Sequence, residues 1–411
     1  MTAVSPAGAR LHFLFLNLGH FLDHLFMLIF STVAALVLIH EWGLGYSELI
    51  PYATPGFIAF AAFTIPAGWL ADRYGREILL AVFFVGIGLA SVATSLATSP
   101  VQIAIGLFVI GIFASIYHPV GIALVLEGQT KTGMRVASNG VWGNLGVASA
   151  ALLTGAVIDL AGWRVAFVIP GLISVVLGII YALRVRHYSP GLLAEQQAQE
   201  QSLAKPDPTG AQTAGEQSAG PTLFMRVLIV VLLTTACGGI VFQSTTFALP
   251  KVLLEKSADL ASSATVLGWL AFAIFAIGSM GQLVVGYLLD RGSPRPVFIG
   301  VAILQVIFFS LAIKATGVWV LIFAAGFMLA AFGQIPINDV LVGRVVGRAY
   351  RSRVLAIRYT ITLSTMALSV PLIALIHARG GVSSLFVVLA IVAAVITTCT
   401  FALPKGLAEP G

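Results

Sequence analysis

The feature that most constrains this chain is a succession of apolar runs, each long enough to cross a bilayer, separated by short clusters of Gly, Pro and charged residues. A run of about 20 apolar residues reads as a membrane-spanning helix, because in hydrocarbon the backbone must satisfy its own hydrogen bonds. Twelve such runs are expected, the first at 12–39 and the last at 383–402, six on each side of a gap. Composition agrees: 59% of the 411 residues are hydrophobic and 9% charged, against about 45–50% and 25% in soluble domains. A water-soluble enzyme is excluded, and twelve crossings leave no room for a large soluble domain.

The gap carries LLAEQQAQEQSLAKPDPTGAQTAGEQSAG, which cannot bury enough apolar surface to fold alone. The expected organisation is an N-terminal six-helix half at 1–183, a flexible cytoplasmic linker at 184–222 and a C-terminal six-helix half at 223–411. The run from Leu11 to Ile39 is too long for a signal-peptide core and reads as the first span. Orientation follows from Lys and Arg. With the N-terminus inside, sixteen of the 22 basic residues fall on cytoplasmic segments, and only Arg164, Lys251, Lys256, Lys314 and Arg379 fall outside. Both termini are therefore expected in the cytoplasm, and this topology accounts for the +6 charge without a nucleic-acid partner.

Cys237 and Cys399 lie in apolar runs with no ligand spacing around them, so neither a disulfide framework nor a structural zinc site is expected. No Gly-rich phosphate loop and no Ser-His-Asp set outside the membrane is present, which removes ATP-driven transport and hydrolysis. No cofactor is expected, and the chain is expected to work as a monomer.

The two halves are related. Gly68-Trp-Leu-Ala-Asp72-Arg73 recurs 218 residues later as Gly286-Tyr-Leu-Leu-Asp290-Arg291, and Arg135-Val136 and Gly162 recur at the same offset as Arg353-Val354 and Gly380. Three matches at one spacing indicate a duplication, and two parallel repeats around a midplane site are a transporter plan. The stretch from Gly68 through Asp72, Arg73 and Gly75 to Arg76 resembles the loop signature of the major facilitator superfamily, and the second copy extends the resemblance over the whole chain. It implies an all-α membrane fold of twelve helices in two pseudo-symmetric halves and secondary transport by alternating access. It also implies a gating role for Gly68, Asp72, Arg73, Gly75 and Arg76, with Asp290 and Arg291 in the second copy. The structural alternative is a basic loop that serves only topology.

A finer resemblance rests on His20-Phe-Leu-Asp23-His24, Tyr117-His118-Pro119, Asn139-Gly-Val-Trp142-Gly-Asn144-Leu-Gly146 and Gly162-Trp163-Arg164. This set is similar to the fosmidomycin-resistance type of efflux protein, which implies proton-coupled export across a bacterial inner membrane. Two departures from the general drug/proton antiporter pattern stand out. Gly111 is preceded by Leu107 where those antiporters carry an Arg, and span 5 lacks their Gly-Pro.

Asn17, His20, His24 and Ser31 recur at helical spacing, with Asp23 in the same arc. An Asp at mid-span costs about 2.5–3.5 kcal/mol even on the lenient insertion scale, so Asp23 is expected to face a cavity or a partner. It reads as a proton carrier or as half of an ion pair, with His20, His24 and His118 tuning it. The same groups can also ligate a divalent metal, since His at i and i+4 share one face. That reading is the alternative, and no metal is assigned. At Pro119 the structural reading is a kink with His118 on a freed carbonyl.

In the second half Gln334, Asn338 and Asp339 lie at a similar depth, and Arg358, also out of place in an apolar run, is the expected partner of Asp339. Arg358 heads a stripe of Thr362, Thr365 and Ser369 and alternatively holds an anionic group of the substrate. Tyr117, Asn139, Trp142, Asn144 and Gln243, the last beside Ser244 and Thr245, complete the expected cavity, while Gly140, Gly143 and Gly146 read as helix packing. The expected partners are a small organic solute, protons and the bilayer. Two rival readings stand beside this: transport of a divalent metal or metal chelate, and a non-transporting membrane sensor on the same fold.

Overall fold

The computed structural model describes residues 6–126, 132–203, 221–345 and 348–404, and every regular element among them is helical. In chain order these are α1 (Pro6–Val33), α2 (Thr54–Tyr74), α3 (Arg76–Thr94), α4 (Pro100–Ala114), α5 (Tyr117–Leu126), α6 (Thr132–Ala161), α7 (Trp163–Leu203), α8 (Pro221–Lys256), α9 (Ala264–Arg291), α10 (Pro294–Ala312), α11 (Val318–Val345) and α12 (Arg348–Phe401). α1 continues through a π turn at Ala34–Leu38 to Glu41, and the short turns Tyr46–Leu49 and Ile50–Ala53 lead into α2. Among the described residues, eleven helices are long and apolar enough to cross a membrane.

α4 and α5 form one crossing broken at Ser115–Ile116. Pro119 has no N–H to give the Ser115 carbonyl, and its ring crowds that oxygen. The chain responds by tightening, with Ile116 N donating to Phe113 O at 3.2 Å before Val120 N resumes on Ile116 O at 3.2 Å.

α12 spans 54 residues, which as one straight rod would be about 80 Å long, more than twice the thickness of the hydrocarbon core. It leaves helical geometry at Gly380 and Gly381, where Gly381 takes a left-handed φ of 63° that a side chain would resist. Its two arms run in opposite directions. His377 lies beside Ser47 and Glu255, at the ends of segments that start near the N-terminal side, whereas Arg226 and Arg295, at the starts of α8 and α10, donate to the carbonyls of Ala402 and Phe401. Ser383 Oγ donates to Ile313 O, at the end of α10. α12 thus contributes two antiparallel arms, whose junction at Gly380 and Gly381 lies on the far side of the molecule, opposite Arg226, Arg295 and Phe401.

The helix that follows Gly162 continues to Leu203, into the segment expected to be linker, where Ala, Glu, Gln and Leu are strong helix formers. Residues 204–220, the remainder of that segment, lie outside the described residues, as do Lys131, Lys205 and Lys405.

Burial is inverted relative to a soluble protein. Leu96, Leu160 and Ile65 are exposed, while Asn17, His20, Asp23, Asn139, Gln243, Gln305, Gln334, Asn338 and Arg358 are buried. A bilayer accepts the exposed leucines and forces polar groups inward onto one another. Where α1 meets α6, the contact depends on glycine. A Cβ at Gly146 would lie 2.2 Å from Phe21 O and one at Gly143 2.6 Å from His20 Nε2, so the two backbones meet only because side chains are missing. Gly140 faces open space, which limits the packing explanation to two of the three glycines.

Candidate functional site

Two buried polar clusters emerge. The first is built on α1, α5 and α6. His20 and His24 stand one turn apart on α1, and the break before α5 delivers His118 to them. The ring centroids of His118 lie 5.5 Å from His20 and 5.7 Å from His24, and each imidazole offers one nitrogen such that the three nitrogens lie within 4.8 Å of one another. Asp23 is fully buried, and its Oδ2 is 3.4 Å from His118 Nε2, longer than a charge-assisted hydrogen bond of about 2.7–2.9 Å. Neither Asp23 oxygen accepts a hydrogen bond. The freed-carbonyl reading of His118 is replaced by this carboxylate contact.

Asn139 organises the remainder of the cluster. Its carbonyl accepts from His20 Nδ1 at 2.8 Å, and its Nδ2 donates to Asn17 Oδ1 at 3.1 Å and to Tyr117 Oη at 2.9 Å. Tyr117 donates its hydroxyl to Leu16 O at 2.7 Å and stacks on His20 with centroids 4.9 Å apart. A carbonyl can only accept, so His20 carries its proton on Nδ1 and presents a lone pair at Nε2. Asn17, His20, Asp23, His24, Tyr117, His118 and Asn139, widely separated in sequence, therefore form one assembly.

The second cluster joins α8, α10, α11 and α12. Gln334 accepts from Gln305 Nε2 at 2.8 Å and donates to Thr234 O at 3.1 Å, while Asn338 accepts from Thr234 Oγ1 at 3.2 Å. Arg358 of α12 donates to Asp339 of α11 in an ion pair, with the guanidinium side chain only 8% exposed and the carboxylate side chain 46% exposed. Arg358 Nε is buried without a partner. Gln243 Nε2 and Ser244 Oγ on α8 are likewise buried and unpartnered. Thr362, Thr365 and Ser369 instead return their hydroxyls to carbonyls of their own helix.

Other expected residues lie elsewhere. Asn144 donates to Gln282 Oε1 of α9 at 3.2 Å and belongs to the α6–α9 contact, and Trp142 is half-buried on the same helix. Asp72 pairs only with Arg76 at 3.8 Å among the described residues, and Arg73 lies over Trp69 and Tyr74. Gly68 sits near Pro119, Gly75 makes the turn after α2, and Asp290 and Arg291 are exposed at the end of α9.

Sequence reasoning missed a third group, on the far side. Ser47, His377, Glu255 and Lys251 form a continuous network, and separately Asp159 accepts from Ala264 N, Thr265 N and Thr265 Oγ1, capping α9 from α6. The Lys251 and Glu255 spacing of four on a helix was the available signal. Gln305 and Gln282, single amides in apolar runs, were signalled only by being out of place.

The chain is 25% identical to a 4-hydroxybenzoate transporter of Pseudomonas aeruginosa over 63% of its own length and 62% of the relative's. It is 24% identical to a gallate transporter of Pseudomonas putida over 63% of its length and 61% of that protein's. The chain thus spans somewhat under two thirds of these relatives. The inward-open structure of a xylose transporter from E. coli superposes with a TM-score of 0.72 at 17% identity, covering 97% of both chains, which establishes a common fold. The model of the Major Facilitator Superfamily matches residues 16–260 and 231–410, nearly the entire chain. With that match and this architecture, the chain is a member of the Major Facilitator Superfamily.

Proposed function

We propose that the chain is a secondary transporter that exports small organic acids across a bacterial inner membrane by alternating access, driven by protons. The observation that carries this reading is the burial of two opposite charges in separate polar clusters, Asp23 among imidazoles and Arg358 on α12. A buried carboxylate in a membrane is costly unless it is used. Moving one charge across the membrane is worth about 2.3 kcal/mol per 100 mV, so one titrating carboxylate couples usefully. Arg358, with its planar set of donors and an unpartnered Nε, has the chemistry to hold a carboxylate. The two relatives named above carry 4-hydroxybenzoate and gallate by their names, which supports an aromatic carboxylate as the class of solute.

In this reading residues 1–183 and 223–411 are rocking halves, the clusters line the substrate path, and the loops at Asp72 and Asp290 gate the terminal side. The resemblance of the α1 and α5 motifs to the fosmidomycin-resistance type favours export, with both chain ends in the cytoplasm. The test is flux of radiolabelled 4-hydroxybenzoate, gallate and aliphatic acids in proteoliposomes under an imposed pH gradient. Gradient-driven accumulation of at least one acid is expected. Flux indifferent to the gradient removes proton coupling, and movement of neutral or cationic solutes in preference to all acids removes the substrate class.

A further inference from the structure

We propose that His20, His24 and His118, with Asp23 beside His118 as their outer partner, form a binding site for a divalent transition metal of the zinc class. The ligand set is assembled by the fold. His20 and His24 face the same way because they are one turn apart on α1, and His118 reaches them because Pro119 breaks the helix just before α5. The three ring nitrogens lie within 4.8 Å of one another, against about 3.4 Å in a tetrahedral site with metal–nitrogen distances of about 2.0–2.1 Å. His24 and His118 are half-buried, so their rings can rotate through the remaining difference and an ion can reach them.

Asp23 stands beside this set. It is completely buried, neither oxygen accepts a hydrogen bond, and Oδ2 lies 3.4 Å from His118 Nε2. A carboxylate so placed calls for a positive charge nearby. A dication bound there would be held by three imidazole nitrogens, a donor set that suits zinc, cobalt or nickel over calcium and magnesium, which prefer all-oxygen sites, and Asp23 would be the outer partner of His118.

The surrounding groups fit the same role. His20 donates Nδ1–H to Asn139 O at 2.8 Å, which leaves Nε2 as the ligating lone pair. Ligand histidines are commonly held by such an outer hydrogen bond, which orients the ring and raises its basicity. Gly143 lets α6 pack against the His20 ring, since a Cβ there would lie 2.6 Å from Nε2. An ion in this site would tie α1 to α5 and lie beside the carboxylate that the proposed transport cycle uses.

The experiment measures the metal directly and does not depend on which solute is carried. Untagged protein, purified in detergent and stripped with chelator, is titrated with Zn2+ against a fluorescent zinc indicator and separately with Co2+ by visible absorption. One ion per chain is expected, with the Co2+ bands of a tetrahedral nitrogen/oxygen site, and with thermal stabilisation by Zn2+ but not by Mg2+. Loss of an outer partner alone weakens metal sites by about 10–100-fold, so His24→Gln and His118→Gln should each weaken binding at least about tenfold. His40→Gln, at the exposed end of the first span, should bind as the wild type does. Each variant is checked for a monodisperse profile and a cooperative thermal transition. No Zn2+ binding by the wild type, or affinity unchanged in the well-folded His24 and His118 variants, overturns the proposal while leaving the transport reading untouched.

Discussion

Ser47, in the turn that leads into α2, and His377, on α12, lie 330 positions apart in the chain and share a hydrogen bond of 3.2 Å on the far side. The other ring nitrogen of His377 donates to Glu255 of α8 at 2.9 Å, and Lys251 approaches the same Glu255 oxygen at 3.1 Å. One neutral imidazole satisfies both partners, with Nε2 donating to the carboxylate and Nδ1 accepting from the hydroxyl. The network joins the first and last parts of the chain on the far side, whereas Asp72, Arg73, Asp290 and Arg291 at the other end are exposed.

This contact should open and close if the halves rock. In a protein with Cys237 and Cys399 replaced by Ala, the pair Ser47→Cys and His377→Cys should cross-link on oxidation, stop transport, and recover on reduction. Band shifts on gels paired with flux report both. Full flux in the cross-linked protein would show that the far side need not part.

Asp23 is the one fully buried carboxylate among the described residues. Asp23→Asn keeps the shape and removes the titrating charge, so gradient-driven transport should be abolished while counterflow exchange persists and folding is preserved. Wild-type rates of gradient-driven flux in the variant would take Asp23 out of the coupling mechanism.

Asp339 and Arg358 should behave as a mutually dependent pair. Breaking a buried pair from one side costs about 3–5 kcal/mol, whereas replacing both members can be nearly neutral. The 46% exposure of the Asp339 side chain places the expected cost of losing Arg358 at the lower end of that range or beneath it. Asp339→Asn and Arg358→Gln should each lower the melting temperature, and the double variant should regain part of the loss. If Arg358 holds the substrate, Arg358→Gln will also eliminate solute binding, and the second substitution will restore stability without binding. Additive effects on stability with unaltered affinity would sink both roles.

Two glycines on α6 provide a contrast within a single helix. Gly146→Ala puts a Cβ 2.2 Å from Phe21 O and should destabilise by about 1–3 kcal/mol through overpacking. Gly140 has nothing within 4 Å, so Gly140→Ala should be neutral or stabilise by up to about 1 kcal/mol through helix propensity. Thermal unfolding in detergent distinguishes them, and equal melting temperatures for the two variants would contradict the close approach of α1 and α6.

Much of the architecture was legible because a bilayer makes each crossing a local matter. A helix in hydrocarbon satisfies its own backbone, so an apolar run of sufficient length is enough to define it. For the same reason Asp23, Asp339 and Arg358 were conspicuous as charges in apolar runs, and Pro119 announced the break before α5. Even so, the end of the helix that reaches Leu203 was hidden, since a stretch rich in Ala, Glu and Gln suits a linker as well as a helix.

Partner choice was another matter. Sequence alone determined the class of fold, the positions of the crossings and which polar side chains must turn inward, all consequences of solvent and of period along one chain. Only the tertiary structure decided that Asn144 meets Gln282, that Gln334 meets Gln305, that Asn139 gathers Asn17, His20 and Tyr117, and that Ser47 meets His377. Each of those contacts joins residues from different helices, and their geometry is set by how closely the helices approach, which depends on glycines such as Gly143 and Gly146 and on bends at Pro119 and Gly381. A hydrogen-bonding side chain carries a demand for a partner in its chemistry, but the packing of the helices determines which partner meets it.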